Sequence, residues 1–135
     1  FPDEQANGVL VTRNLADPLT DGIYVNVQKG EESVTNPLAG ITPEIFTIIP
    51  GPECGSVQVA RIAYSSLQPD SPLLTDAEIA LLNQTARTVR SHFAPLYGIA
   101  PASAAVLEME FKFHGDSRDF VLKQVRPFLQ SSQTK

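Results

Sequence analysis

Four polar side chains near the C-terminus recur at a spacing suited to binding chemistry. Glu108 and Glu110 stand in the alternating run Leu107-Glu108-Met109-Glu110-Phe111-Lys112-Phe113. Gln124 and Arg126 stand in Phe120-Val121-Leu122-Lys123-Gln124-Val125-Arg126-Pro127. Residues two apart on a strand project from the same face, so each pair points one way. Two carboxylates and an amide oxygen are hard oxygen ligands of the kind Mg²⁺ takes, with phosphate oxygens completing the shell. An arginine beside them suits a phosphate through parallel N–H donors. The same pattern also fits a solvated strand face, with Glu110 paired to Lys112 or Lys123.

Between the two runs His114-Gly115-Asp116-Ser117-Arg118 reads as a turn, so they form a hairpin whose register matters. In one register Glu108 faces Gln124 and all four polar groups share a face. In the other, Phe113 faces Phe120 and Phe111 faces Leu122. That register pairs apolar side chains well but turns Gln124 and Arg126 to the opposite face. The residues alone leave both open.

The elements that must position this hairpin lie upstream. Gly8-Val9-Leu10-Val11-Thr12 is a run of strand formers, and Ile23 to Gln28 alternates as a second strand across the turn-rich Asp17 to Gly22. Two antiparallel strands are the simplest reading, with Ser33-Val34-Thr35 a possible further pairing segment. From Asn36 to Ser56 prolines and glycines break the text, which reads as a long surface excursion carrying one short element, Ile45 to Ile49. Val57 to Tyr64 is a candidate third strand. Thr75-Asp76-Ala77-Glu78 is a capping box, and Ile79, Leu82, Ala86, Val89 and Phe93 make one apolar stripe, so a helix runs from about Asp76 to Phe93. Pro95 and Gly98 end it. The tail Gln130 to Lys135 is polar and expected to fray. The fold expected is α+β: a mainly antiparallel sheet with one principal amphipathic helix, as a single domain over residues 1–135.

Composition narrows the partners. Ten basic against fifteen acidic residues leave a net charge of −5, the wrong balance for a general nucleic-acid binder. The apolar runs are too short to span a membrane. Cys54, the one cysteine, suits a reducing compartment such as the cytoplasm and builds neither an internal disulfide nor a multi-thiolate zinc site. The chain begins at Phe1, as expected of a processed product or a piece of a larger protein.

The hairpin text resembles the end of the nucleotide-binding domain in the phosphoenolpyruvate synthase and pyruvate phosphate dikinase family, which has an acidic-x-Glu strand followed by a Gln-x-Arg-Pro strand. Ala6-Asn7-Gly8-Val9-Leu10-Val11-Thr12-Arg13-Asn14 is similar to that family's Gly-Val-x-x-Thr-Arg-Asn segment. Tyr24-Val25-Asn26-Val27-Gln28-Lys29-Gly30-Glu31-Glu32-Ser33-Val34 is similar to its Asn-x-Gln-x-Gly-Glu-x-x-Val strand. The resemblance covers most of the chain in order, and it selects the register with all four polar groups on one face.

What the resemblance implies is the C-terminal lobe of an ATP-grasp-like domain that holds Mg-ATP between two lobes. Glu110 and Gln124 would lie at the metal and phosphate end, and Arg126 would act on phosphate. Glu108, where the family more often has aspartate, would assist. Thr12, Arg13 and Asn14 match a loop near the phosphates, and Asn26, Gln28 and Glu31 could shape the site. In the complete enzyme ATP would phosphorylate a histidine on another domain, and that histidine would phosphorylate pyruvate. The partners implied are therefore the other lobe and the phosphohistidine and pyruvate domains, and this chain alone is expected to be inactive. A related dikinase with an antibiotic or glucan acceptor, or a non-catalytic binding module that keeps the fold, are the other readings.

Overall fold

The computed structural model describes residues 4–31, 33–34 and 38–128. Among them the chain forms strands β1 (Glu4–Val11), β2 (Ile23–Lys29), β3 (Glu44–Pro50) and β4 (Val57–Ala63), then helix α1 (Asp76–Phe93). Two short 3-10 turns follow (Ala94–Tyr97 and Ala102–Ala104), then β5 (Leu107–His114) and β6 (Asp119–Pro127). The strands make one antiparallel sheet in the order β4-β3-β2-β1-β5-β6. The first four form a meander. The helix then carries the chain back across one face of the sheet, so that β5 pairs with β1 and β6 closes the far edge. The α+β architecture expected from the alternation and the lone apolar stripe is the one observed. Thr35 and the tail from Gln130 to Lys135 lie outside the described residues.

The helix begins where its cap dictates. The Thr75 hydroxyl accepts from the Glu78 N–H at 3.1 Å, and the Glu78 carboxylate accepts from the Thr75 N–H at 2.9 Å. These bonds satisfy two of the donors that a helix start leaves without intrahelical partners. Ile79, Leu82 and Ala86 are buried against Leu10, Val25, Phe46, Met109 and Phe111, with Val89 and Phe93 packed at the margin. Gly8 is needed for this packing: a Cβ there would lie 2.5 Å from the Phe111 ring and 2.6 Å from the Asn26 carbonyl oxygen. Among the described residues no helix is long and apolar enough to cross a membrane.

The segment before Ser56 corrects the sequence reading. Ile45 to Ile49 is not an island in a surface excursion but the body of β3, paired on both sides, with Phe46 and Ile48 fully buried. The flanking prolines mask this in the sequence, yet Pro43 precedes the strand and Pro50 is its last residue, where a missing N–H costs the ladder little. Val57 to Ala63 is consequently the fourth strand and lies at the sheet edge. Glu44, also fully buried, is held by Arg61 Nε at 2.8 Å and by the Leu73 N–H at 2.8 Å. The Arg61 guanidinium in turn lies over the Phe46 and Tyr64 rings.

The hairpin turn is tied to the helix start. Arg118, in the left-handed region at φ 54°, donates from Nε and Nη2 to the two Glu78 carboxylate oxygens at 2.8 and 3.0 Å. Nη2 also donates to the Leu73 carbonyl at 3.0 Å. Burial pushes the Glu78 carboxyl up, but the Arg118 hydrogen bond, the Thr75 N–H and the Arg118 charge outweigh it and hold the group below its ordinary 4.5.

Two outcomes are expected. Glu44→Ala strands Arg61 and the Leu73 N–H, and should cost about 3 kcal/mol of unfolding free energy in urea titration. Glu78→Gln should lower Tm at neutral pH. A depressed folded pKa gives stability that is present above the unfolded value and lost as pH falls through the folded one. The Tm gap between wild type and Glu78→Gln should therefore close below about pH 4.5; a gap independent of pH would contradict this account.

Candidate functional site

The β5–β6 hairpin adopts both competing pairings, one in each half. Beside the turn, Phe113 faces Phe120 and Phe111 faces Leu122. Further along, Glu110 faces Gln124, Met109 faces Val125 and Glu108 faces Arg126. The ladder shifts between Glu110 and Phe111 because Lys123 is an extra residue, a β-bulge in β6. One inserted residue changes the parity of a strand. Leu122 and Val125, three apart, therefore both pack on the core, while Gln124 and Arg126 join Glu108 and Glu110 on the other face. The Phe111, Phe113 and Phe120 rings stay together, with centroids 5.4 to 6.2 Å apart. The sequence reading set Glu108 opposite Gln124. Its partner is instead Arg126, two residues on, which preserves the face and changes the pairing.

On that face Arg126 Nε donates to Glu108 Oε1 at 2.7 Å. The Glu108 side chain is 19% exposed and that of Arg126 56%. The hydrogen bond from Arg126 to Glu108, and then the Glu108 charge, raise the Arg126 pKa, with a smaller contribution from Glu110. Val11 and Val9 of β1 face Glu108 and Glu110, and beyond them Tyr24 and Asn26 of β2 continue the row. A cavity of about 280 Å³ opens here, lined by Val9, Val11, Tyr24, Asn26, Glu108 and Phe128 among others. Asn26 Oδ1 is buried in its wall with no hydrogen-bond partner among the described residues, an acceptor without a donor.

The remaining candidates sit elsewhere. The Thr12 hydroxyl accepts from the Leu107 N–H at 2.9 Å and donates to the Ala105 carbonyl at 3.0 Å, clipping the chain as it enters β5. Arg13 is exposed and, with Thr12 and Asn14, lines a different cavity at the end of the sheet. Asn14 Oδ1 accepts from the Ala16 and Asp17 N–H groups and so shapes its own turn. Gln28 is fully buried, with its carboxamide bonded to the Thr42 carbonyl, the Lys29 N–H and the Ser65 hydroxyl.

Tested as a seat for magnesium and a phosphate chain, the hairpin fits. Glu110 and Gln124 stand side by side as a carboxylate and an amide oxygen, and Glu108 and Arg126 adjoin them. Among the described residues no group of three or more His, Cys, Asp or Glu side chains forms a metal cage. A divalent ion here would therefore need phosphate oxygens and water for most of its shell, the habit of Mg²⁺ in nucleotide sites.

The sequence reading missed Arg90, which is 8% exposed and lines the cavity at the sheet end along with Arg13. A signal was present: Arg90 is four residues after Ala86 and three before Phe93, on the stripe that α1 turns to the core.

Because the Glu108–Arg126 pair is exposed, Arg126→Ala and Glu108→Gln should leave Tm essentially unmoved in thermal melts. A large loss would make the pair structural.

Compared with known proteins, the chain matches no protein-family model and no curated protein.

Proposed function

We propose that this chain is an ATP-binding lobe of a phosphotransferase resembling phosphoenolpyruvate synthase and pyruvate phosphate dikinase, in which ATP phosphorylates a histidine on another domain and then pyruvate. The observation that carries the reading is the bulged hairpin, which sets Glu108, Glu110, Gln124 and Arg126 on one face beside a cavity. Glu110 and Gln124 would hold Mg²⁺, which supplies charge neutralisation along the phosphates. Arg126, released from or shared with Glu108, would bind a phosphate oxygen through charge-assisted hydrogen bonds. Asn26 Oδ1 would accept from a donor on the nucleoside, against the walls of Val9, Val11 and Tyr24. The opposing lobe would close over this face, and the compartment would be the cytoplasm.

Half a cleft orients a nucleotide poorly, so the chain alone should bind Mg-ATP only in the millimolar range and turn none over. In a ¹⁵N NMR titration with ATP, the amides of 108–110 and 124–126 should shift, and should shift less without Mg²⁺. Glu110→Ala should remove the Mg²⁺ dependence. In the whole phosphotransferase, Glu110→Ala and Arg126→Ala should each lower phosphohistidine formation about 10²-fold or more. Shifts confined to other regions, or rapid ATP hydrolysis by the chain alone, would overturn the reading.

A further inference from the structure

At the end of the sheet where β1 finishes and β5 begins, a cavity of about 310 Å³ opens between the last turns of α1 and the loop after β1. Arg13, Arg90, Ser103 and Val106 contribute to its wall. Arg90 is the unusual member. It is 8% exposed, and its Nε is buried with no hydrogen-bond partner among the described residues. A buried guanidinium N–H left without an acceptor is costly, and buried polar groups are ordinarily paired. Burial lowers the Arg90 pKa, the charge of Arg87 lowers it further, and Asp21 opposes both. Asp21 also lines the cavity, but its carboxylate is drawn toward Arg87, 3.6 Å from Nη2. Three of the other polar groups nearby are committed: Thr12 to the backbone of Ala105 and Leu107, Asn14 to its turn, and the Thr20 hydroxyl to Asp17 at 2.8 Å. Arg90 and Arg13 thus face one space in a chain whose net charge is −5.

We propose that this cavity is a phosphate-binding site, in which Arg90 and Arg13 clasp the oxyanion of free phosphate or of a phosphomonoester head. Charge and shape both select phosphate over carboxylate. A phosphate carries about −1.5 to −2 at neutral pH, matching two guanidinium groups, and presents three or more acceptor oxygens to donors on different elements. A carboxylate offers one charge and a single plane. The volume exceeds one phosphate and sits at the lower end of small-ligand pockets, so a monoester has room for a short chain against Val106. The site is separate from the hairpin face and does not depend on the ATP reading.

The test is a titration of the full chain with inorganic phosphate, followed through the Arg side-chain Nε–H signals in ¹⁵N NMR at low ionic strength. The Arg90 signal should move with a millimolar midpoint. Acetate at equal ionic strength should leave it in place. Arg90→Met, which keeps the apolar stem, should weaken phosphate binding about tenfold or more. Arg13→Gln should weaken it as well, and serves as the second variant if Arg90→Met fails to fold. Titration with glycerol 3-phosphate assigns the source: tighter binding than inorganic phosphate identifies a monoester site, and equal or weaker binding a free-phosphate site. An unmoved Arg90 signal overturns the proposal, as does an equal response to acetate. Loss of the phosphate response in Arg126→Ala would overturn it too, by placing the anion on the hairpin; conversely, failure of ATP to shift the hairpin amides leaves this site standing.

Discussion

Lys123 is the residue on which the candidate site depends. A strand with strict period two cannot send Leu122 and Val125 to the core together, and cannot keep Phe113 opposite Phe120 while Arg126 stands opposite Glu108. One extra residue resolves both conflicts. Near the turn the hairpin obeys aromatic packing, with Phe111, Phe113 and Phe120 in one cluster. Beyond the bulge it obeys polar pairing, Glu110 with Gln124 and Glu108 with Arg126. The apolar half anchors the ladder, and the polar half is thereby held in place without needing stability of its own.

The same division runs through the whole sheet. One face is dry, closed by α1 over Phe46, Met109, Phe111 and the strands around them. The other carries Tyr24, Asn26, Glu108, Glu110, Gln124 and Arg126, and a cavity lined by the first three of them. Two carboxylates act as clamps in this arrangement. Glu44 joins Arg61 of β4 to the backbone before α1, and Glu78 joins the α1 cap to the hairpin turn through Arg118. Both clamps lie on the path from β4 to the helix and fix where α1 enters, and hence where its far end meets the end of the sheet.

That far end is where the two cavities approach each other along the chain. Thr12 lines one, and its neighbour Val11 lines the other. The Thr12 hydroxyl spends both of its hydrogen bonds on the backbone around Ala105 to Leu107, so the wall between the cavities is built from committed groups. Among the described residues, Asn26 Oδ1 on one side and Arg90 Nε on the other are buried without a hydrogen-bond partner.

Much of this was legible in the residues. The α1 boundaries follow from Thr75 and Glu78 at one end and Pro95 and Gly98 at the other, because caps and breakers act within a turn of the backbone. The alternation of β2 and β5 was equally plain, since burial on one face imposes period two. Strand β3 was obscured because proline and glycine dominate the text around it, while the pairing that rescues it comes from β2 and β4. The face shared by Glu108, Glu110, Gln124 and Arg126 came only from resemblance, as local pattern permits either parity, and the bulge that reconciles the two is a compromise between distant packing demands. The sequence reading passed over Arg90. That buried Arg90 lines one cavity with Arg13, two residues past the end of β1 and far away in sequence, is decided by how α1 crosses the sheet, a long-range fact that no local spacing encodes.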